Sequence, residues 1–187
     1  MSLNPTAKAV EVFMKVKTAL NVCIKNNDVR EEVKRSIRTR SREIPTMMMD
    51  IGLVPVLSFL LAKSGIDNLR KAANLIENLK TMCLERMSGE EKVDAKDFSY
   101  GIYAYVILKY LEEYLRPKER VESKELPKFL KDSTANKEQL ADYVEKYLEF
   151  LLNGVNSQIA LRILGPYLEQ FKRLCEAEFP KESRGSS

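Results

Sequence analysis

Apolar residues recur at spacings of three and four in five segments of the chain, and no stretch of useful length alternates between apolar and polar. That period is the signature of helices packed on one face, and it argues against strands. Asn4-Pro5 is a helix entry, followed by Val12, Val16, Ala19 or Leu20, and Cys23, with an end expected near Asn26-Asn27. Asp28 is expected to cap a second helix, with Glu31 three residues on and an apolar stripe of Val29, Val33, Ile37 and Ile44. It should stop at Ile44, because a residue before proline disfavours the α region. From Thr46 to Lys63 apolar side chains fall on all sides of a helical wheel. This stretch is the expected buried centre, kinked by Pro55 near Gly52 and ended by Ser64-Gly65.

Beyond that, Asp67 opens a helix through Leu69, Ala73, Ile76, Leu79, Cys83 and Met87, and Ser88 to Lys96 reads as a loop. Asp97 is expected to cap the next helix, which carries Tyr100, Tyr103, Ile107, Leu111 and Tyr114 inward and stops at Arg116-Pro117. Residues 116–136 mix charges with two prolines and read as a surface excursion or insertion. Two more helices are expected, about Lys137 to Leu152 and Asn156 to Glu178, the last kinked at Pro166. The expected fold is therefore all-α: a single compact bundle of about six to seven helices around a buried, proline-kinked helix. It forms one domain over 1–179, with a disordered tail at 180–187.

Composition changes this picture mainly by exclusion. Histidine is wholly absent from the 187 residues. That removes the commonest general base, the Ser/His and Cys/His nucleophile pairs, and nearly every zinc site. The adjacent carboxylates Glu90-Glu91 and Glu112-Glu113 do not form a metal or acid/base constellation. No glycine-rich phosphate loop is present. No enzyme activity, catalytic residue, metal or cofactor is therefore expected. The longest apolar run, Leu53 to Ala62, falls short of the roughly 20 residues that span a bilayer, and no signal-peptide pattern stands at the start. A cytoplasmic protein without membrane contact is expected. Cys23, Cys83 and Cys175 are widely spaced, which makes a disulfide framework an improbable expectation in that setting.

Charge adds one positive feature. Between Lys25 and Arg42 seven basic residues face three acids, an excess of four that equals the net charge of the whole chain, +4. At about 100° per residue, Lys34, Arg35, Arg38 and Arg42 share one arc of the second helix. Arg40 falls instead on the apolar stripe, where it must reach outward along its stem or pair with an acid. Arginine predominates, and guanidinium groups bind phosphate bidentately, so the arc is a candidate polyanion surface beside the plainer reading of a solvated helix face. Such a surface charge should be replaceable with little effect on stability. Among Tyr100, Tyr103, Tyr105, Tyr110 and Tyr114, the candidates for stacking on bases, Tyr105 lies off the inner stripe and is the best candidate for exposure. Core packing is the commoner role for such residues, as it is for Met47, Met48 and Met49.

Arg38, Arg40 and Arg42, Ile44-Pro45-Thr46, Gly52-Leu53, Leu57-Ser58-Phe59-Leu60 and Lys63 resemble the small subunit of the type III-B CRISPR effector, the Cmr complex. The aromatic-rich helix from Tyr100 to Leu111 is also similar, and the resemblance spans about residues 5–115. It implies a helical bundle without enzymatic activity that stacks in copies beside the other effector subunits and holds guide and target RNA through basic residues. By position those residues are Arg38, Arg40, Arg42 and Lys63; the charge arc adds Lys34 and Arg35. Two other readings stand beside it: a helical adaptor that binds only protein, and a carboxylate-dependent nuclease.

Overall fold

Asparagine side chains open four of the six helices among the described residues. The computed structural model describes residues 4–77, 94–115 and 136–181. Its helices are α1 (Pro5–Cys23), α2 (Asn27–Ile51), α3 (Leu53–Glu77), α4 (Ala95–Leu115), α5 (Lys137–Leu152) and α6 (Gly154–Glu178). Asn4, Asn26, Asn136 and Asn153 cap α1, α2, α5 and α6, each side chain accepting backbone N–H groups that have no partner within the helix. At α2 the cap is therefore Asn26, not Asp28. Its Oδ1 accepts from Asp28 N at 2.9 Å and Val29 N at 3.2 Å, leaving Asp28 as a first-turn acid that suits the helix dipole. At α4 the cap is Asp94, not Asp97, with N–H donors from Lys96 and Asp97 at 2.9 and 3.0 Å. The all-α expectation holds, and no strand occurs among the described residues. Residues 116–135 and 182–187, where the excursion and the tail were expected, lie outside them.

Two prolines act differently from expectation. α2 does not stop at Ile44 but runs through Pro45 to Ile51. Pro45 leaves the Ser41 carbonyl without its helical donor, a loss of about 3 kcal/mol in a free helix. Ile44 and Met48 are both buried on either side, so tertiary packing holds the helix across the gap. The break falls at Gly52, whose φ of 92° suits only glycine well. Pro55 does not kink a central helix either; it is the third residue of α3, where a missing N–H leaves no carbonyl unpaired. The expected stop at Ser64-Gly65 is real: Gly65 has φ 66° and splits α3 into two helical segments. Across the split, Asn68 Nδ2 donates to the Ser64 carbonyl at 2.9 Å.

The helix covered on all sides is α4, not Met47 to Ala62. Every residue from Gly101 to Leu108 is buried, whereas Met49 is 81% exposed and Ile51 55% exposed. Among the described residues the most extensive helix–helix packing is α3 on α4, followed by α2 on α4. Gly101 makes the first possible: a Cβ there would sit 2.8 Å from the backbone carbon and oxygen of Asn68. Tyr105, expected to be exposed, is 1% exposed. Burial first, then the hydrogen bond it donates to Glu77, holds its hydroxyl far above the ordinary tyrosine range. Tyr110 stacks on Tyr167 with ring centroids 3.9 Å apart, and burial pushes its hydroxyl up to about 12. Half-buried charges tie α1 to this core: Lys8 reaches Glu113 at 2.6 Å, and Lys15 and Lys109 both approach Glu77. Cys23 is disulfide-bonded, contrary to expectation. Cys175 is a free, buried thiol.

Replacing Gly101 with alanine should push α3 and α4 apart. Overpacking typically costs about 1–3 kcal/mol, and contact with backbone favours the upper half of that range. Urea unfolding followed by circular dichroism checks this. A loss under about 0.5 kcal/mol would show that the two helices separate freely.

Candidate nucleic-acid interface

The basic arc of α2 forms as the periodicity predicts, but much of it faces other helices. α6 ends in Cys175-Glu176-Ala177-Glu178, with two acids at the negative pole of its dipole and no basic residue of its own in the last turn. Neighbouring helices supply the missing positive charge. Arg38 is 7% exposed, and its Nη1 donates to the carbonyls of Glu176 and Phe179, each at 2.6 Å. Arg42 Nε pairs with the Glu176 carboxylate at 2.7 Å, and Lys17 of α1 pairs with Glu178. The Arg42 hydrogen bond is the main reason the Glu176 carboxyl lies below its usual range. Arg30 treats the end of α1 similarly, donating through Nη1 to the Ile24 carbonyl at 3.2 Å. Three arginines of α2 therefore sit at the carboxyl ends of other helices.

The remaining candidates divide by position. Lys34 pairs with Glu31 one turn back at 2.7 Å. Arg35 is half-buried and makes no ion pair among the described residues. Arg40, placed by the periodicity on the apolar stripe, takes the second of its two expected courses and pairs with an acid. It pairs with Glu43 at 2.7 Å and lies over the ring of Tyr100, its guanidinium carbon 4.1 Å from the centroid. Lys63 is exposed, with Nζ 5.9 Å from the centroid of Phe59. Phe59 and Tyr100 meet edge to face at 5.6 Å. Thus Arg40 and Lys63, 23 positions apart in the chain, are joined through two aromatic rings, whereas Arg38 and Arg42 are drawn toward α6.

Sequence periodicity missed Glu176 and Phe179 as partners of the arc, and Phe59 and Tyr100 as its neighbours. A signal for the first existed in the acidic end of the last helix. Among the described residues, no group of three or more His, Cys, Asp or Glu side chains is arranged to hold a metal ion. No described helix is long and apolar enough to cross a membrane.

A model of the CRISPR-associated protein (Cas_Cmr5) family matches residues 12–152, most of the chain. The chain belongs to this family. The resemblance carried by the arginines and the Ile44-Pro45-Thr46 segment is therefore confirmed at family level, and the match reaches past residue 115 to the end of α5. Among solved structures, a chain in the type III-B Cmr-beta complex bound to non-cognate target RNA has a similar fold. The TM-score is 0.62 at 22% identity, covering 97% of this chain and 100% of that one. That likeness bears on the fold, and it includes α6, which lies outside the family match. No curated protein sequence matches this chain.

The Arg38 geometry makes a stability prediction that reverses the expectation for a surface charge. Arg38→Ala removes two hydrogen bonds from a buried cation, each of a kind worth about 1.5–3 kcal/mol. Urea unfolding should show a loss of at least that size, while Lys63→Ala stays within about 0.5 kcal/mol. Equal and small losses would mean that the carbonyls of Glu176 and Phe179 are satisfied by water.

Proposed function

We propose that this chain is a non-catalytic structural subunit of an RNA-guided, RNA-targeting CRISPR effector, and that it contacts the guide and target RNA backbone through cations of α2 and α3. Membership of the Cas_Cmr5 family carries this reading. The similar chain within an effector complex bound to target RNA supports it. Arg35, Arg40 and Lys63 are the primary phosphate contacts. Arg35 and Lys63 make no ion pair among the described residues, and Arg40, although paired with Glu43, is joined to Lys63 through the rings of Tyr100 and Phe59. Lys34 and Arg42 join by exchanging a carboxylate for a phosphate, and Arg38 contributes mainly by anchoring α6 beneath this surface. Sequence specificity then comes from guide–target pairing, while the protein reads backbone and shape. Its partners are RNA, other effector subunits and further copies of itself stacked along the complex, in the cytoplasm.

One observation favours the adaptor reading, in which the chain binds protein alone. Leu152, Val155 and Ile159 are exposed at the corner between α5 and α6, where a protein partner is the usual cover. RNA binding separates the two readings.

Binding of the purified chain to single-stranded RNA should weaken steeply with salt. The slope of log affinity against log salt changes by about 0.7 for each phosphate neutralised on single strands. Arg40→Gln with Lys63→Gln should flatten it by at least one unit on every sequence tested. Identical slopes for wild type and double variant would leave the adaptor reading in place.

With magnesium or manganese, the purified chain should leave RNA and DNA intact. Cleavage abolished by a single carboxylate substitution would support the nuclease reading instead.

A further inference from the structure

We propose that Phe59 and Tyr100, bracketed by Arg40 and Lys63, form a stacking platform for an unpaired base of single-stranded RNA. The proposal rests on the RNA-binding reading above and adds what the surface recognises besides phosphate. Three helices converge here: Arg40 comes from α2, Phe59 and Lys63 from α3, and Tyr100 from the first turns of α4. Tyr103, Tyr105 and Tyr110, farther along α4, are closed into the core, but Tyr100 and Phe59 remain partly open to solvent. Their rings cross at 90°. The face of one therefore meets the edge of the other, and the pair cannot shield both faces of both rings.

One cation stands against each ring. Arg40 covers Tyr100 at 4.1 Å, and Lys63 stands 5.9 Å from the Phe59 centroid. Arg40 is held from two sides, by the ring below and by Glu43 at 2.7 Å, yet 15% of its side chain stays accessible. A fixed guanidinium plane is itself a stacking surface for a base, and an aromatic ring is another. The ammonium of Lys63, on a flexible stem, meets a phosphate as a point charge. Aromatic rings flanked by cations match the chemistry of a single-stranded nucleotide, whose base offers a π-face and whose backbone offers negative charge on each side. A duplex hides its base faces and offers only the second.

The test uses the full chain and a short single-stranded RNA carrying 2-aminopurine, beside the same RNA with abasic sites and a duplex control. Wild type should quench the 2-aminopurine fluorescence and prefer the base-containing strand to the abasic one by about fivefold or more. Phe59→Leu should lose both the quenching and the preference while keeping the salt slope. Phe59→Tyr, which retains a ring, should keep all three. Thermal melts of both variants establish that each is folded. Lys63→Gln should lower the slope by about 0.7 with quenching intact. A steep salt slope without base preference in wild type, or quenching that survives in folded Phe59→Leu, would overturn the platform and leave backbone binding standing. Absence of salt-dependent RNA binding in wild type would overturn both.

Discussion

The architecture depends on the close approach of α4 to α3 at Gly101. A helix buried on every side needs neighbours that reach its backbone as well as its side chains, and a Cβ at this position would collide with the Asn68 carbonyl. With that contact made, the break at Gly65 lets both halves of α3 follow α4. α2 then packs on the remaining side, and its continuity through Pro45 follows, because Ile44 and Met48 are held in the core. Phe59 and Tyr100 meet on this same α3–α4 seam. The surface proposed to bind RNA is thus an edge of the tightest packing in the molecule, and rigidity there fixes the spacing of its cations.

α2 places its arginines in two settings along one length. Arg30 and Arg38 complete the unpaired carboxyl ends of α1 and α6, while Arg35 and Arg40 remain near solvent. A helix end carries partial negative charge and unpaired carbonyls, so to a guanidinium it resembles a phosphate. That likeness explains why a run of arginines gathers in one helix without all of them facing a ligand. The internal partners and the proposed external one are chemically alike; only burial tells them apart.

The helices were legible because their apolar residues repeat at threes and fours, and the asparagine cap of α1 stood in plain view. The central helix was not. Periodicity marks amphipathic helices by contrast between faces, and both Met47–Ala62 and Tyr100–Leu111 lack that contrast. The aliphatic density of the first points to the centre, whereas the second reads as a helix with one inner face and Tyr105 off it. The charge arc was visible as an arc, and Arg40 and Lys63 were both singled out. Their union through Tyr100 and Phe59 was not visible, since it depends on how three helices cross. Nor was the role of Arg38, whose carbonyl partners lie 138 and 141 residues away.

The three cations at the end of α6 differ in what acid does to them. Arg42 and Lys17 grip carboxylates, and the Glu176 carboxyl is depressed chiefly by its Arg42 bond. A depressed folded-state pKa means that this pairing is complete above the usual carboxylate range and dissolves as the pH falls through the lowered value. Arg38 grips main-chain carbonyls, which take up no proton under such conditions, and its own guanidinium never releases one. Acidification therefore dissolves the solvent-facing Arg42–Glu176 pair while the buried bolt stays fastened. The last helix keeps its seat on α2 after that pair has gone.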